Sequence, residues 1–173
     1  MVDIMHENGI GVIMDWVPAH FPRDAHGLAE FDGTRLYECK EERMASHPEW
    51  GTLIFDYALP EVQSFLNSSA CSFIERYHID GIRVDAVSSM LYLNYCRRDG
   101  EYTPNIYGHN INLGAVEFLR KLNTAVHSTG RRVITVAEES SAYPMITGAV
   151  EDGGLGFDFK WDMGYMHDTL DYF

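Results

Sequence analysis

Three short apolar segments, each ending in an acid and separated by stretches of helical periodicity, leave few folds open to this chain. They are GVIMDWV, which reaches Asp15; GIRVDAV, which reaches Asp85; and RVITVAEES, which reaches Glu138 and Glu139. A buried β-strand that delivers a carboxylate at its C-terminal end is how parallel β/α enzymes assemble an active site. Strands alternating with helices pair in parallel through right-handed crossovers.

The alternation extends along the chain. Residues 1–8 read as the end of an amphipathic helix, with Gly9 where a helix C-terminus favours glycine. A strand is predicted at about 11–16. Pro60 suits a first helical position, and Val62, Phe65, Leu66, Phe73, Ile74 and Tyr77 recur at helical spacing behind it. A strand follows around 82–86. A further helix covers about 114–127, with Val116, Leu119, Leu122 and Val126 on one face, and stops at Thr129-Gly130. The strand from Arg132 to Ala137 comes next, then one over 156–163 and a helix start in MHDTLDYF. The reading is α/β: four β/α units in one domain, 1–173, with no linker. Two long connections, 18–59 and 88–113, both follow strand C-termini, where long loops tend to carry function. They hold Phe21, Phe31, Tyr37 and Trp50, and Tyr92, Tyr95, Tyr102 and Tyr107. Such rings suit the apolar faces of sugars and suit plain packing equally.

Bulk properties exclude some functions. The formal net charge of −13 argues against a nucleic-acid partner, which needs clustered Lys and Arg on phosphate. Cys39, Cys71 and Cys96 are odd in number and widely spaced, so they are expected to be buried thiols in a reducing compartment. No apolar run approaches the roughly 18 residues of a membrane helix. No ligand-spaced His/Cys set or phosphate-type glycine loop appears, so no metal and no cofactor are expected. The expectation is a soluble, cytoplasmic protein without a membrane partner.

In GIRVDAV, alternation puts Gly81, Arg83 and Asp85 on one face. An arginine beside a carboxylate favours its charged form, and a charged carboxylate can act as a nucleophile. With a second carboxyl about 5–5.5 Å away as the acid, the pair would be a retaining glycosidase arrangement. A structural ion pair is the plainer alternative for Arg83 and Asp85 alone. Glu138 and Glu139 fall on opposite faces, so only one can share a site with Asp85, and periodicity does not choose between them. Asp15 reads equally as a strand-end carboxylate bonding loop backbone, and His20 as an ordinary loop histidine.

DWVPAHF, GIRVDAV and VAEES, in this order, resemble three of the four short motifs of the α-amylase superfamily of retaining α-glucan enzymes. Within it the chain is most similar to the bacterial 1,4-α-glucan (glycogen) branching enzymes, through DWVPAHFP, GLAEFDGTRLYE at 27–38, EFLRKLN at 117–123 and GGLGFDFKWDMGYMHDTLDYF at 153–173. The resemblance covers essentially the whole chain. It implies part of a (β/α)8 TIM barrel, resembling strands three to six. It implies Asp85 as nucleophile and Glu138 as general acid/base, with Arg83, Asp15 and His20 in supporting and substrate-binding roles. The implied donor and acceptor are α-1,4-glucan chains, and the product is an α-1,6 branch. A hydrolytic relative and a non-catalytic glucan-binding fragment are the alternatives.

The superfamily's fourth motif, a His-Asp pair ending a later strand, supplies a third catalytic carboxylate. His167-Asp168 is the chain's one His-Asp dipeptide, but it lies at a helix start in the wrong context. That role is therefore not carried onto Asp168. The 173 residues fall about 80 short of a complete barrel of about 250, and the isolated chain is expected to be an inactive, poorly stable fragment.

Overall fold

The computed structural model describes all 173 residues, Met1–Phe173. Four strands form one parallel sheet in sequential order: β1 (Ile13–Trp16), β4 (Gly81–Val84), β5 (Ile134–Ala137) and β6 (Phe159–Lys160). The short β2 (His20–Phe21) and β3 (Leu53–Ile54) pair antiparallel and fold the first long connection back on itself. Helices α1 (Val2–Glu7), α2 (Pro60–Tyr77), α3 (Val87–Leu91), α4 (Leu113–His127) and α5 (Met163–Tyr172) complete the chain. Sequential order with no reversal, joined by crossovers of one hand, puts the helices on one side of the sheet. This is how a closed barrel begins, and here β1 and β6 remain open edges.

Alternation along the strands separates two environments. Ile82, Val84, Thr135 and Ala137 face α2 and α4 and are fully buried. The other face carries Asp15, Arg83 and Val136 in register. It is open at its edges, with Ile13 50% and Phe159 55% exposed. On the helix side Tyr57 stacks on Phe118 at 5.4 Å between ring centroids, and its hydroxyl donates to the carbonyls of Pro18 and Ala19.

α4 buries the predicted face, Val116, Leu119, Leu122 and Val126, and adds Phe118 and Asn123. Its N-cap is Asn112, whose side chain accepts from the Ala115 N–H. In α2 the predicted stripe is only partly right. Val62, Leu66 and Ile74 are buried, whereas Phe65 and Tyr77 are exposed and Gln63 and Ala70 take core positions. Gln63 tolerates burial because its amide donates to the Tyr57 carbonyl and its oxygen accepts from Lys121 Nζ. The expectation of buried cysteines fails. Cys39 and Cys71 are half-buried and Cys96 is exposed, because all three sit on loops or helix flanks away from the sheet–helix core.

Gly81 is required by packing. A Cβ there would lie 2.6 Å from Ile134 Cγ1 and 2.7 Å from the Ile134 carbonyl oxygen. Only glycine lets β4 and β5 approach this closely, and that approach sets the acids beyond their C-terminal ends side by side.

Candidate active site

The register that pairs Arg83 with Asp15 on one side and Val136 on the other sets Asp85 beside Glu138 at the next step. Backbone bonds hold both there. Asp85 N–H donates to the Trp16 carbonyl at 3.0 Å, and Glu138 N–H donates to the Val84 carbonyl at 3.0 Å. Arg83, only 13% exposed, lies at the centre. Its Nη1 donates to Asp15 Oδ1 and to Asp85 Oδ1, each at 2.6 Å, and its Nη2 lies 3.6 Å from Glu138 Oε2. Burial disfavours the guanidinium charge, but the hydrogen bonds to Asp15 and Asp85 outweigh it and raise the pKa. Asp15 is 68% exposed, so solvent screens its pairing with Arg83. Asp85 and Glu138 are about three-quarters buried.

A strained residue adjoins Asp85. Ala86 has φ of 52°, in the left-handed region, where a side chain costs of order 1–3 kcal/mol. In that conformation its N–H donates to Glu138 Oε2 at 2.6 Å. The Val87 N–H returns to the Glu138 carbonyl. The turn after β4 therefore grips the acid that follows β5. His20 reaches the pair from β2, with Nε2 4.0 Å from Asp85 Oδ2. Burial lowers its pKa, and the charge of Asp85 only partly offsets this.

Glu139 takes the opposite face, as alternation requires. It is wholly buried, accepts the Ser141 N–H at 2.7 Å on Oε1, and meets Lys160 Nζ at 2.7 Å on Oε2. Lys160 is followed by Trp161, whose ring centroid lies 4.5 Å from Arg83 Cζ. Sequence reasoning missed Lys160 and Trp161. The predicted strand at 156–163 implied that Phe159 and Trp161 share a face, but not which face. It also left His47 and Trp50 unassigned; these rings pack against His20. Residues of an irregular connection carry no periodic signal that would place them.

His167 and Asp168 lie within α5, exposed, with no hydrogen bond to the carboxylates. A cavity of about 320 Å³ between the two long connections, lined by Ile54, Tyr57, Tyr92 and Ile106 among others, contains none of the five site residues. No helix is long and apolar enough to cross a membrane.

No known protein-family profile matches the chain. Over all 173 residues it is 59% identical to the 1,4-alpha-glucan branching enzyme of Aromatoleum aromaticum, of which it spans 27%. It is 57% identical over 172 residues to that of Rubrobacter xylanophilus and 55% identical over 172 residues to that of Myxococcus xanthus, spanning 24% and 23% of them. Along its whole length the chain belongs with the branching enzymes. It covers about a quarter of the length of these relatives. Among solved structures, the fold of this branching-enzyme stretch matches an alpha-amylase from Geobacillus thermoleovorans complexed with acarbose. That match has a TM-score of 0.59 at 20% identity and covers 91% of this chain and 32% of the amylase. A maltogenic alpha-amylase from Thermotoga neapolitana matches with a TM-score of 0.64 at 18% identity, over 99% of this chain and 32% of that one. Both share the partial-barrel fold.

Proposed function

We propose that this chain carries the nucleophile and the general acid/base of an α-glucan branching reaction, as part of one catalytic barrel domain acting in the cytoplasm. The reading rests on one observation. A single guanidinium, Arg83, bonds Asp85 and lies beside Glu138 at the ends of adjacent strands, in a stretch whose relatives are named branching enzymes.

In this reading Asp85 attacks the anomeric carbon of an α-1,4-linked glucose while the Glu138 carboxyl gives its proton to the departing glycosidic oxygen. The C1–O4 bond breaks, and the donor chain remains as an ester on Asp85. Glu138, now a carboxylate, takes the proton of a 6-hydroxyl on an acceptor glucan. That oxygen displaces Asp85 and forms the α-1,6 bond. Arg83 bonds the Asp85 carboxylate before attack and receives it again as it leaves. The Ala86 N–H occupies Glu138 Oε2, which leaves the other carboxyl oxygen, Oε1, to carry the proton. His20 and Asp15 flank the sugar at the cleavage point.

With a four-stranded sheet open on its inner face, the 173 residues by themselves are expected to leave the iodine stain of amylose unchanged. Exchanged for the matching quarter of the Aromatoleum aromaticum enzyme, they should give a chain that lowers the stain and makes new α-1,6 linkages. Asp85→Asn or Glu138→Gln should abolish this. New reducing ends without branches would identify hydrolysis instead, and activity insensitive to both substitutions would refute the assignment.

A further inference from the structure

The first long connection holds an exposed aromatic ring that is better braced than an unused surface residue requires. Trp50 is 41% exposed, yet it packs on His47 at 4.2 Å between centroids, on His20 at 5.0 Å and on Tyr95 at 5.8 Å. The turn that carries it is tied at both ends. His47 N–H donates to the Thr52 carbonyl, Gly51 N–H donates to the His47 carbonyl, and Ser46 bridges Leu53. Two arginines pin the same turn from outside. Arg23 Nε donates to the Gly51 carbonyl at 2.8 Å, and Arg97 Nη2 donates to the Ser46 carbonyl at 2.6 Å. Gly51 has φ of 68°, which lets the chain reverse directly after the tryptophan.

Position gives the ring its use. His20 touches Trp50 on one side and lies 4.0 Å from Asp85 Oδ2 on the other, so a single side chain separates the indole from the nucleophile. A partly exposed indole held by three neighbouring rings suits a neutral ligand with an apolar face and hydroxyl edges. We infer that Trp50 is a substrate-binding residue, stacking on the apolar face of a glucose unit at or next to the one attacked by Asp85. This rests on the glucan reading of the site and adds a residue that none of the motif positions supplies. His47 and Tyr95 are the ring's backing. Because the turn is preformed, binding need not order it first, which is where rigid aromatic platforms gain affinity.

Maltoheptaose titrated into the 173-residue chain, followed by isothermal calorimetry, tests this. Trp50→Leu should weaken binding about tenfold, in line with the loss of one stacking surface. Trp50→Phe, which keeps a ring face, should bind within about threefold of the unaltered chain. Tyr107→Ala, in an exposed ring outside the cluster, should not change affinity. Should the leucine variant lose its fold, oxidation of the unaltered chain by N-bromosuccinimide, mapped by mass spectrometry, decides instead. Maltoheptaose should slow oxidation of Trp50. Binding that ignores Trp50→Leu, or an oxidation rate at Trp50 indifferent to the sugar, overturns the placement of Trp50 alone. No affinity for maltoheptaose in the unaltered chain overturns it together with the glucan reading of the site.

Discussion

His47 should make the turn beneath Trp50 acid-sensitive. The side chain is only 2% exposed, and its Nε2 has no hydrogen-bond partner. Burial, reinforced by the positive charges of His20 and Arg97, lowers its pKa from 6.5 to about 4. The sign follows from proton counting. Between those values the unfolded chain binds a proton that the folded chain refuses, so stability rises with pH through the window and is lost as pH falls through it. At about 1.4 kcal/mol for each pH unit between the two values, the loss approaches roughly 3 kcal/mol by pH 4. Carboxylates also titrate near the lower end, so the measurement must be a difference. His47→Phe keeps a ring under Trp50, removes the unpartnered nitrogen and cannot protonate. Urea unfolding of both proteins at pH 7, 5.5 and 4 should show the gap between them widening in favour of phenylalanine by about 3 kcal/mol. Parallel stability curves across that range would refute the argument, since the histidine would then titrate alike folded and unfolded.

Three further outcomes follow from the packing. Gly81→Ala forces a Cβ against Ile134, including its backbone oxygen, and should cost about 2 kcal/mol in thermal unfolding, as overpacked cores do; an unchanged melting temperature would mean the strands separate freely. Lys160→Met leaves Glu139 buried without its cation and should destabilise by about 2 kcal/mol, below the full cost of a buried pair because Lys160 is 34% exposed. Adding Glu139→Gln should restore most of that loss in denaturant melts, and a simple sum of the two effects would exclude the pairing. Ala86→Val places a β-branched side chain at φ of 52° and should cost about 2 kcal/mol, while Ala86→Gly should be tolerated; equal stability of the two variants would remove the strain argument.

Much of the architecture was legible because strands and helices announce themselves by period. The four strands, the capping position of Gly9 and the inner face of α4 needed only local spacing. The facing of Arg83 with Asp85, and of Glu138 against Glu139, needed only alternation. What failed was anything decided by the partner rather than the period. Phe65 and Tyr77 hold core-like positions in α2 but stay exposed, Phe65 meeting only the rings of Tyr37 and Phe55 at its edge, whereas Gln63 is buried because Tyr57 and Lys121 happen to satisfy it. Asp15 reads from its own segment either as a supporting site residue or as a strand-end carboxylate, and its bond to Arg83 lies across the sheet, 68 positions away. The left-handed Ala86, the Lys160 partner of Glu139 and the bracing of Trp50 depend on residues dozens of positions away. No window of sequence contains both halves of those contacts.

At the other end of the sheet, far from the acids, one arrangement occurs twice. Asp80, just before β4, takes the Val12 N–H and His6 Nε2; Asp158, just before β6, takes the Thr135 N–H and His127 Nε2. In each case one aspartate ties a helix end, the strand that follows that helix and the next strand over. Such a latch asks nothing of the residues at the opposite rim. Loops there are free to lengthen, shorten or change their chemistry while the floor stays fastened. The sheet can also grow by pairs of strands, because each pair brings its own fastening.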